Sequence, residues 1–228
     1  MKNKNINTDY SRFYAERTHS HVYPTEFVVR TFLGEYPNLN FKKPKPNETI
    51  LDVAFGDGRN TKFLCELGLK VYGVEISESI IDQTRKRLNN LGHKPILNQE
   101  RNSSMPFKDE MFDYILACHC CYYCDEGETI YNNLEEYKRI LKPGGVLITS
   151  VADLNSYIFK DAEKMLDGTM LIKNDPYNNR NDYRLHGFSS KEKIENYFST
   201  FFKNFSFGTD INNYYGDDER LFWIVCEK

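Results

Sequence analysis

No apolar run in this sequence approaches the roughly 20 residues that a membrane-spanning helix needs. The opening stretch, MKNKNINTDYSRFYAERT, is polar and carries no apolar segment of the kind that heads a secreted chain. Charge of one sign is also missing. The net charge is −3 over 228 residues, with only a local trio of Lys42, Lys43 and Lys45. A nucleic-acid or anionic-membrane partner would require a basic face, so neither is expected. Tryptophan occurs once. Of the six cysteines, four crowd into Cys118–Cys124, which is not the spacing of a disulfide framework. Together these absences give the cytoplasm as the expected compartment and predict no membrane insertion. A homodimer is compatible with them.

What is present is a rhythm. The length suits one sizeable core. TEFVVRTFLGEY places apolar residues at helical spacing after Pro24, and residues 37–48, with three prolines and three lysines, read as a connecting loop. ILDVAF (50–55) reads as a buried strand and RNTKFLCEL (59–67) as a helix stopped by Gly68. KVYGVEI (70–76) is a second strand, followed by a helix from an N-cap at Ser77 to Gly92. A short strand near Pro95–Asn98, a strand at 112–118, a helix at 128–141, the turn KPGG and a strand at 146–151 complete the alternation. Strands alternating with helices predict a parallel sheet covered on both faces, with right-handed crossovers. Beyond Val151 the pattern changes. A helix is expected at 153–166, then a polar stretch without periodicity, DPYNNRNDYRLHGF, then a helix from Ser189 or Ser190 to Phe198. FKNFSFGTDI and ERLFWIVCEK read as an antiparallel hairpin. Residues 1–23 show no clear period.

The segment Asp52-Val53-Ala54-Phe55-Gly56-Asp57-Gly58-Arg59-Asn60 joins the first strand to its helix. Glycines there allow a sharp turn and let a ligand approach the main chain, and such crevices beyond strand ends are where open α/β sheets bind ligands. A dinucleotide fingerprint would need a small residue where Thr61 stands, so that reading fits poorly. The pattern D-x-G-x-G-x-G fits better, with Ala54 in place of its first glycine. Glu75, at the end of the second strand and about 20 residues on, is placed to accept hydrogen bonds from ribose hydroxyls. A nicotinamide-dependent oxidoreductase is further disfavoured because Tyr137 and Lys142 have the wrong spacing for a hydride-transfer pair. A non-catalytic binding module would keep the same glycines and acidic residue.

ILDVAFGDGRN, VYGVEIS, MPFKDEMFDYILACH and RILKPGGVLITS, in this order and spacing, resemble the class I S-adenosylmethionine (AdoMet)-dependent methyltransferases over roughly residues 49–151. The resemblance implies the α/β fold class: a doubly wound, mostly parallel seven-stranded sheet with an antiparallel C-terminal hairpin and an N-terminal helical extension. Residues 1–48 would form an arm and helix on the acceptor side. Residues 49–228 would form the AdoMet-binding domain, with an insert at about 153–190. It also implies cofactor contacts at Asp52, Ala54, Gly56, Asp57, Gly58, Asn60, Glu75, Ile76, Asn102, Ser103 and Cys118. Glu75 would hold the ribose, Ile76 would face the adenine, and Asp52 and Asp57 would orient the methionyl amino group. Relatives often carry an acidic residue where this chain has Arg101, and Asn102 is the candidate to replace it at the adenine amino group.

Cys118-His119-Cys120-Cys121-Tyr122-Tyr123-Cys124 invites a zinc reading, but structural zinc usually takes paired knuckles from distant segments, and no second cluster exists. No metal is expected, and the cysteines read as small apolar side chains at a strand end. His119 and Tyr14 are the candidate catalytic residues; the family resemblance implies a place for His119 near the sulfonium, where it could orient the acceptor, act as a base or simply pack. Arg17, Tyr23, Tyr123, Arg184 and His186 are the candidates for binding a small-molecule acceptor, with Arg17, Arg180, Arg184 and His186 available to an anionic group on it. YPTEFVVRTFLGEYPNL is also similar to bacterial methyltransferases of surface-polysaccharide precursors. That resemblance implies methylation of a hydroxyl on a sugar or nucleotide-linked glycan precursor, with N-methylation of a small metabolite as the alternative.

Overall fold

The computed structural model describes residues 6–15 and 21–228. In chain order the main elements are α1 (Ile6–Ala15), α2 (Glu26–Leu33), β1 (Thr49–Val53), α3 (Arg59–Glu66), β2 (Lys70–Glu75), α4 (Glu78–Asn90) and β3 (Ile96–Gln99). They continue with β4 (Phe112–Ala117), β5 (Tyr123–Cys124), α5 (Ile130–Ile140), β6 (Leu141–Ala152), β7 (Glu163–Lys164), β8 (Met170–Leu171) and β9 (Arg184–Leu185). The chain closes with α6 (Lys191–Phe198), β10 (Lys203–Tyr214) and β11 (Asp217–Glu227).

Seven strands form one sheet in the order β10-β11-β6-β4-β1-β2-β3. The β1–β2, β2–β3, β1–β4 and β4–β6 pairs are parallel, and β11 runs antiparallel between β6 and β10. Side chains alternate across the strands. Ile50, Tyr114, Leu116 and Ile148 pack with Val28 and Phe32 of α2 and Phe63 and Leu64 of α3. Leu51, Val53, Ile115 and Leu147 face the other way, against Leu134 and Tyr137 of α5 and Ile194 and Phe198 of α6. Burying each such side chain contributes about 1.5–3 kcal/mol, so both faces must be covered for the sheet to hold.

The topology fixes where a ligand can enter. From β1 the chain moves outward through β2 and β3, then returns to β4 on the opposite side of β1. The carboxyl ends of β1 and β4 therefore flank the switch point, where neighbouring crossovers part and leave a crevice. The glycine-rich turn follows β1, and Cys118 and His119 follow β4.

The structure departs from the sequence reading in three places. Residues 6–15 form α1, with Tyr10, Phe13 and Tyr14 on one side at helical spacing. The helix expected at 153–166 is absent; only Tyr157–Phe159 makes a 3-10 turn. Asp153 explains this, because its carboxylate accepts the backbone and side-chain N–H groups of Asn155, and Leu154 N–H donates to Phe188 O. A short polar side chain that bonds nearby backbone competes with helix formation. The insert instead supplies β7, β8 and β9, which join β5 in a second small sheet of order β5-β9-β8-β7 that lay outside the reading.

Candidate active site

One cavity of about 560 Å³ opens at the switch point. Its size is that of a small-molecule site. One end is lined by Asp52, Ala54, Asn60, Glu75, Ile76 and Asn102. Tyr10, Tyr123, Tyr157, Arg180 and Glu219 line the other end. His119 lies within electrostatic reach of Arg59 near the first group and of Arg180 in the second.

Backbone geometry makes the first end. Ala54 has φ 52° and Gly56 φ 54°, so the chain turns through the left-handed region directly after β1. A side chain at Gly56 would collide with the hydroxyl of Tyr14, which reaches over the turn from α1. Glu75 is buried and accepts hydrogen bonds from Gly56 N–H at 3.2 Å and Ile76 N–H at 2.8 Å. Burial raises its carboxyl above the usual range, while those N–H groups pull it down. A carboxylate has about four lone-pair sites, so acceptor capacity remains for hydroxyl donors. Asp52 is fully enclosed and accepts a 2.7 Å hydrogen bond from the Thr61 hydroxyl, and burial pushes its pKa up to about 7. Asn102 donates through Nδ2 to Cys120 O at 3.0 Å, and its Oδ1 has no partner among the described residues. Arg101 is neutralised by Asp125, 2.7 Å away.

His119 also stands in the left-handed region, at φ 59°. Its backbone N–H donates to Ser150 Oγ at 2.8 Å, and its ring meets Trp223 edge-on at 5.2 Å. Trp223 in turn stacks on Phe27 at 3.8 Å. Burial, assisted by Arg59 and Arg180, lowers the imidazole to about 3, so the ring is neutral at physiological pH. The neighbouring thiols are buried: Cys120 Sγ donates to Val53 O, and burial pushes Cys118 and Cys121 up to about 12. These are inert groups. Among the described residues, no three His, Cys, Asp or Glu side chains gather as metal ligands.

The second end is built from side chains on four separate segments. The hydroxyls of Tyr10 (α1) and Tyr123 (β5) are 2.7 Å apart, and Arg180 in the insert donates to Tyr157 Oη at 2.7 Å. Rings of Tyr10, Tyr123 and Tyr183 meet edge to face at 6.0–6.4 Å.

The structure thus brings Asp52, Ala54, Asn60, Glu75, Ile76, Asn102, Cys118, His119, Tyr14 and Tyr123 to one cavity. It leaves other expected residues outside the lining. Gly58, at φ 77°, has no room for a side chain because Thr84 and Leu88 of α4 pack on it, so it serves helix packing. Asp57 turns back to accept the Arg59 N–H. Ser103 sits in a separate surface depression beside Glu136 and Arg139. Tyr23 is 81% exposed and lies outside the cavity lining. Arg184 is paired with Asp167 at 3.0 Å, and the buried ring of His186 packs on Phe188 and Tyr197. Neither therefore reaches the cavity, contrary to the expectation of acceptor contacts. Arg17 lies outside the described residues. Tyr157, Tyr177, Tyr183 and Glu219 line the cavity and were not singled out from sequence. For Tyr177 and Tyr183 the only signal was the density of tyrosine, asparagine and arginine in the aperiodic stretch 175–188, whereas Tyr157 fell in the expected helix and Glu219 in the C-terminal hairpin.

A glycine turn after β1 and an acidic residue at the end of β2, at the switch point of a doubly wound sheet, suit a nucleotide with its ribose on the carboxylate. Comparison with known proteins narrows the class. Residues 51–149 match the family model of the methyltransferase domain. A 101-residue stretch is 33% identical to the demethylmenaquinone methyltransferase of Tropheryma whipplei, covering 44% of this chain and 40% of that protein. A longer stretch of 163 residues is 29% identical to an uncharacterised protein of Methanocaldococcus jannaschii, covering 72% of this chain and 68% of that one. The solved structure of a SAM-dependent methyltransferase from Methanosarcina mazei superposes with a TM-score of 0.67 at 21% identity, over 85% of this chain and 98% of the other. The match to the demethylmenaquinone enzyme thus spans about two-fifths of its length. Residues 51–149 thus match a methyltransferase domain, and the chain shares the fold of the solved methyltransferase on which it superposes.

Proposed function

We propose that this protein binds AdoMet and methylates a hydroxyl of a small polar acceptor, of which a sugar or nucleotide-linked glycan precursor is the type expected. The observation that carries the reading is the continuity of the cavity: one 560 Å³ space runs from the carboxylates of Asp52 and Glu75, past His119, to the tyrosine-lined end. Bound AdoMet supplies an electrophilic methyl on a sulfonium that leaves as a neutral thioether. Residues present suit that group. Glu75 keeps lone pairs that would take the ribose hydroxyls, Asp52 would hold the methionyl ammonium, the spare Oδ1 of Asn102 would accept from the adenine amino group and Ile76 would pack on its ring. Tyr14, lying over Gly56, closes the methionyl end.

Catalysis then rests on positioning. The aromatic walls exclude water and hold the acceptor oxygen in line with the methyl. The neutral His119 ring accepts a hydrogen bond from the acceptor hydroxyl. An alkylated oxonium is a far stronger acid than any imidazolium, so even a ring of depressed basicity takes the proton as the C–O bond forms. A panel of sugars, sugar nucleotides and small amines incubated with methyl-labelled AdoMet tests this reading. Label is expected in a methyl ether, with kcat falling about 10²–10⁴-fold in His119→Ala. Label found only on amines would contradict the hydroxyl assignment.

A further inference from the structure

Among the described residues, Arg180 is the cation that the insert turns into the tyrosine-lined end, and the loop around it is built to hold it. The Asp175 side chain is fully buried and accepts backbone N–H groups from Tyr177, Asn179 and Arg180 at 3.3, 2.9 and 2.9 Å. It also takes Nε and Nη2 of Arg180, at 3.3 and 3.1 Å. Burial pushes this carboxyl up, but Arg180 and the N–H groups outweigh it and leave the pKa below the usual range. The guanidinium is thereby fixed with its side chain 18% exposed, facing the cavity.

Hydrogen-bond donors are in excess around it. Arg180 uses Nε and Nη2, while Nη1 has no partner among the described residues. The Tyr157 hydroxyl accepts from Arg180, so its own hydrogen is free to donate elsewhere. Of the Tyr10 and Tyr123 hydroxyls, one donates to the other and one hydrogen is left over. Tyr10, Tyr123 and Tyr157 all lie within electrostatic reach of the guanidinium. Among the described residues, no carboxylate besides Asp175 is within ion-pairing distance of it. Glu219, on the wall near Tyr122 and Tyr157, makes no hydrogen bond among the described residues. Donors converging without an acceptor call for a group that accepts and does not donate.

We propose that the acceptor carries an oxyanion, a carboxylate or a phosphate, which docks on Nη1 of Arg180 with the hydroxyls of Tyr157 and of the Tyr10–Tyr123 pair. Glu219 confines the negative charge to the Arg180 end and takes a hydroxyl or amine donor from the rest of the molecule. This assignment rests on the AdoMet reading above, since it concerns the acceptor end of the same cavity.

The test is calorimetric, on the full chain saturated with S-adenosylhomocysteine. The probes are inorganic phosphate, 4-hydroxybenzoate and its neutral isostere 4-hydroxybenzyl alcohol. One or both anions are expected to bind, and the alcohol at least about tenfold more weakly; which anion binds tells phosphate from carboxylate. Arg180→Met is expected to weaken the anion about tenfold or more while AdoMet affinity stays within about twofold. Tyr157→Phe, which leaves the Arg180–Asp175 pair intact, is expected to weaken it about threefold. If Arg180→Met fails to fold, the Tyr157→Phe result decides. Equal binding of anion and alcohol, unchanged anion affinity in the variants, or no anion binding by a protein that binds AdoMet would each overturn the proposal and leave the methyltransferase reading standing. Failure to bind AdoMet would overturn that reading instead.

Discussion

Asp52, Ala54 and Glu75 stand at the carboxyl ends of β1 and β2, held by strands that are buried on both faces. Tyr10, Tyr123, Tyr157 and Arg180 instead come from a helix, a two-residue strand, a 3-10 turn and a loop. The first wall takes its shape from the main chain: two left-handed residues and a carboxylate fixed by backbone N–H groups. The second takes its shape from side-chain hydroxyls and one buried ion pair. A wall set by backbone can present the same features whatever surrounds it, which suits a cofactor common to many enzymes. A wall set by side chains changes with each substitution, which suits an acceptor particular to one enzyme.

The comparison can be broken by mutation. Leu116, fully buried in β4, supports the cofactor wall; Leu116→Ala is expected to cost about 2–5 kcal/mol in denaturant unfolding, whereas Tyr157→Phe costs about 1 kcal/mol or less. Comparable losses would remove the distinction. Asp52 gives a pH-dependent effect. The folded state holds its proton up to about 7, while the unfolded chain releases it near 3.8. Between those values the folded state binds more protons, so this group's contribution to stability declines as pH rises from 3.8 to 7 and stays low above. At about 1.4 kcal/mol per pKa unit the full decline is on the order of 4 kcal/mol. Asp52→Asn should lose that slope in unfolding measured from pH 4 to 8 and gain on the parent as pH rises. In the parent, AdoMet affinity should rise between pH 6 and 8, as the methionyl ammonium favours the ionised carboxyl.

Gly56→Ala puts a methyl group against the Tyr14 hydroxyl at a left-handed φ of 54°. Its expected cost is about 1–2 kcal/mol of stability, with weaker AdoMet binding by titration. Ala54→Gly is the smallest change. Relief of the left-handed penalty is partly offset by the entropy of glycine, leaving a gain of roughly 0.5–1 kcal/mol readable as a higher Tm. A lower Tm would mean that Ala54 is held by packing and not strained.

The same contrast explains what could be read from sequence. Strands β1, β2 and β4 and the second half of β6 are mostly apolar and buried, and the helices between them carry 3.6-residue spacing, so the sheet and its glycine turn were legible. Glu75 followed from its position at the end of β2. The second sheet was not legible, because two-residue strands are too short for any period to show. Arg180 and Arg184 look alike in sequence, yet Asp175 turns one inward and Asp167 holds the other away. Gly56 and Gly58 look alike too, yet one lies under the Tyr14 hydroxyl and the other meets Thr84. Such choices are made by tertiary contacts that no local pattern records.

The most direct measurement is a calorimetric titration of AdoMet into the full chain, with Glu75→Ala and NAD as controls. The account predicts micromolar binding of AdoMet, its loss in Glu75→Ala, and no binding of NAD. A folded protein that ignores AdoMet, or a Glu75→Ala variant that binds it as tightly as the parent, would contradict the account.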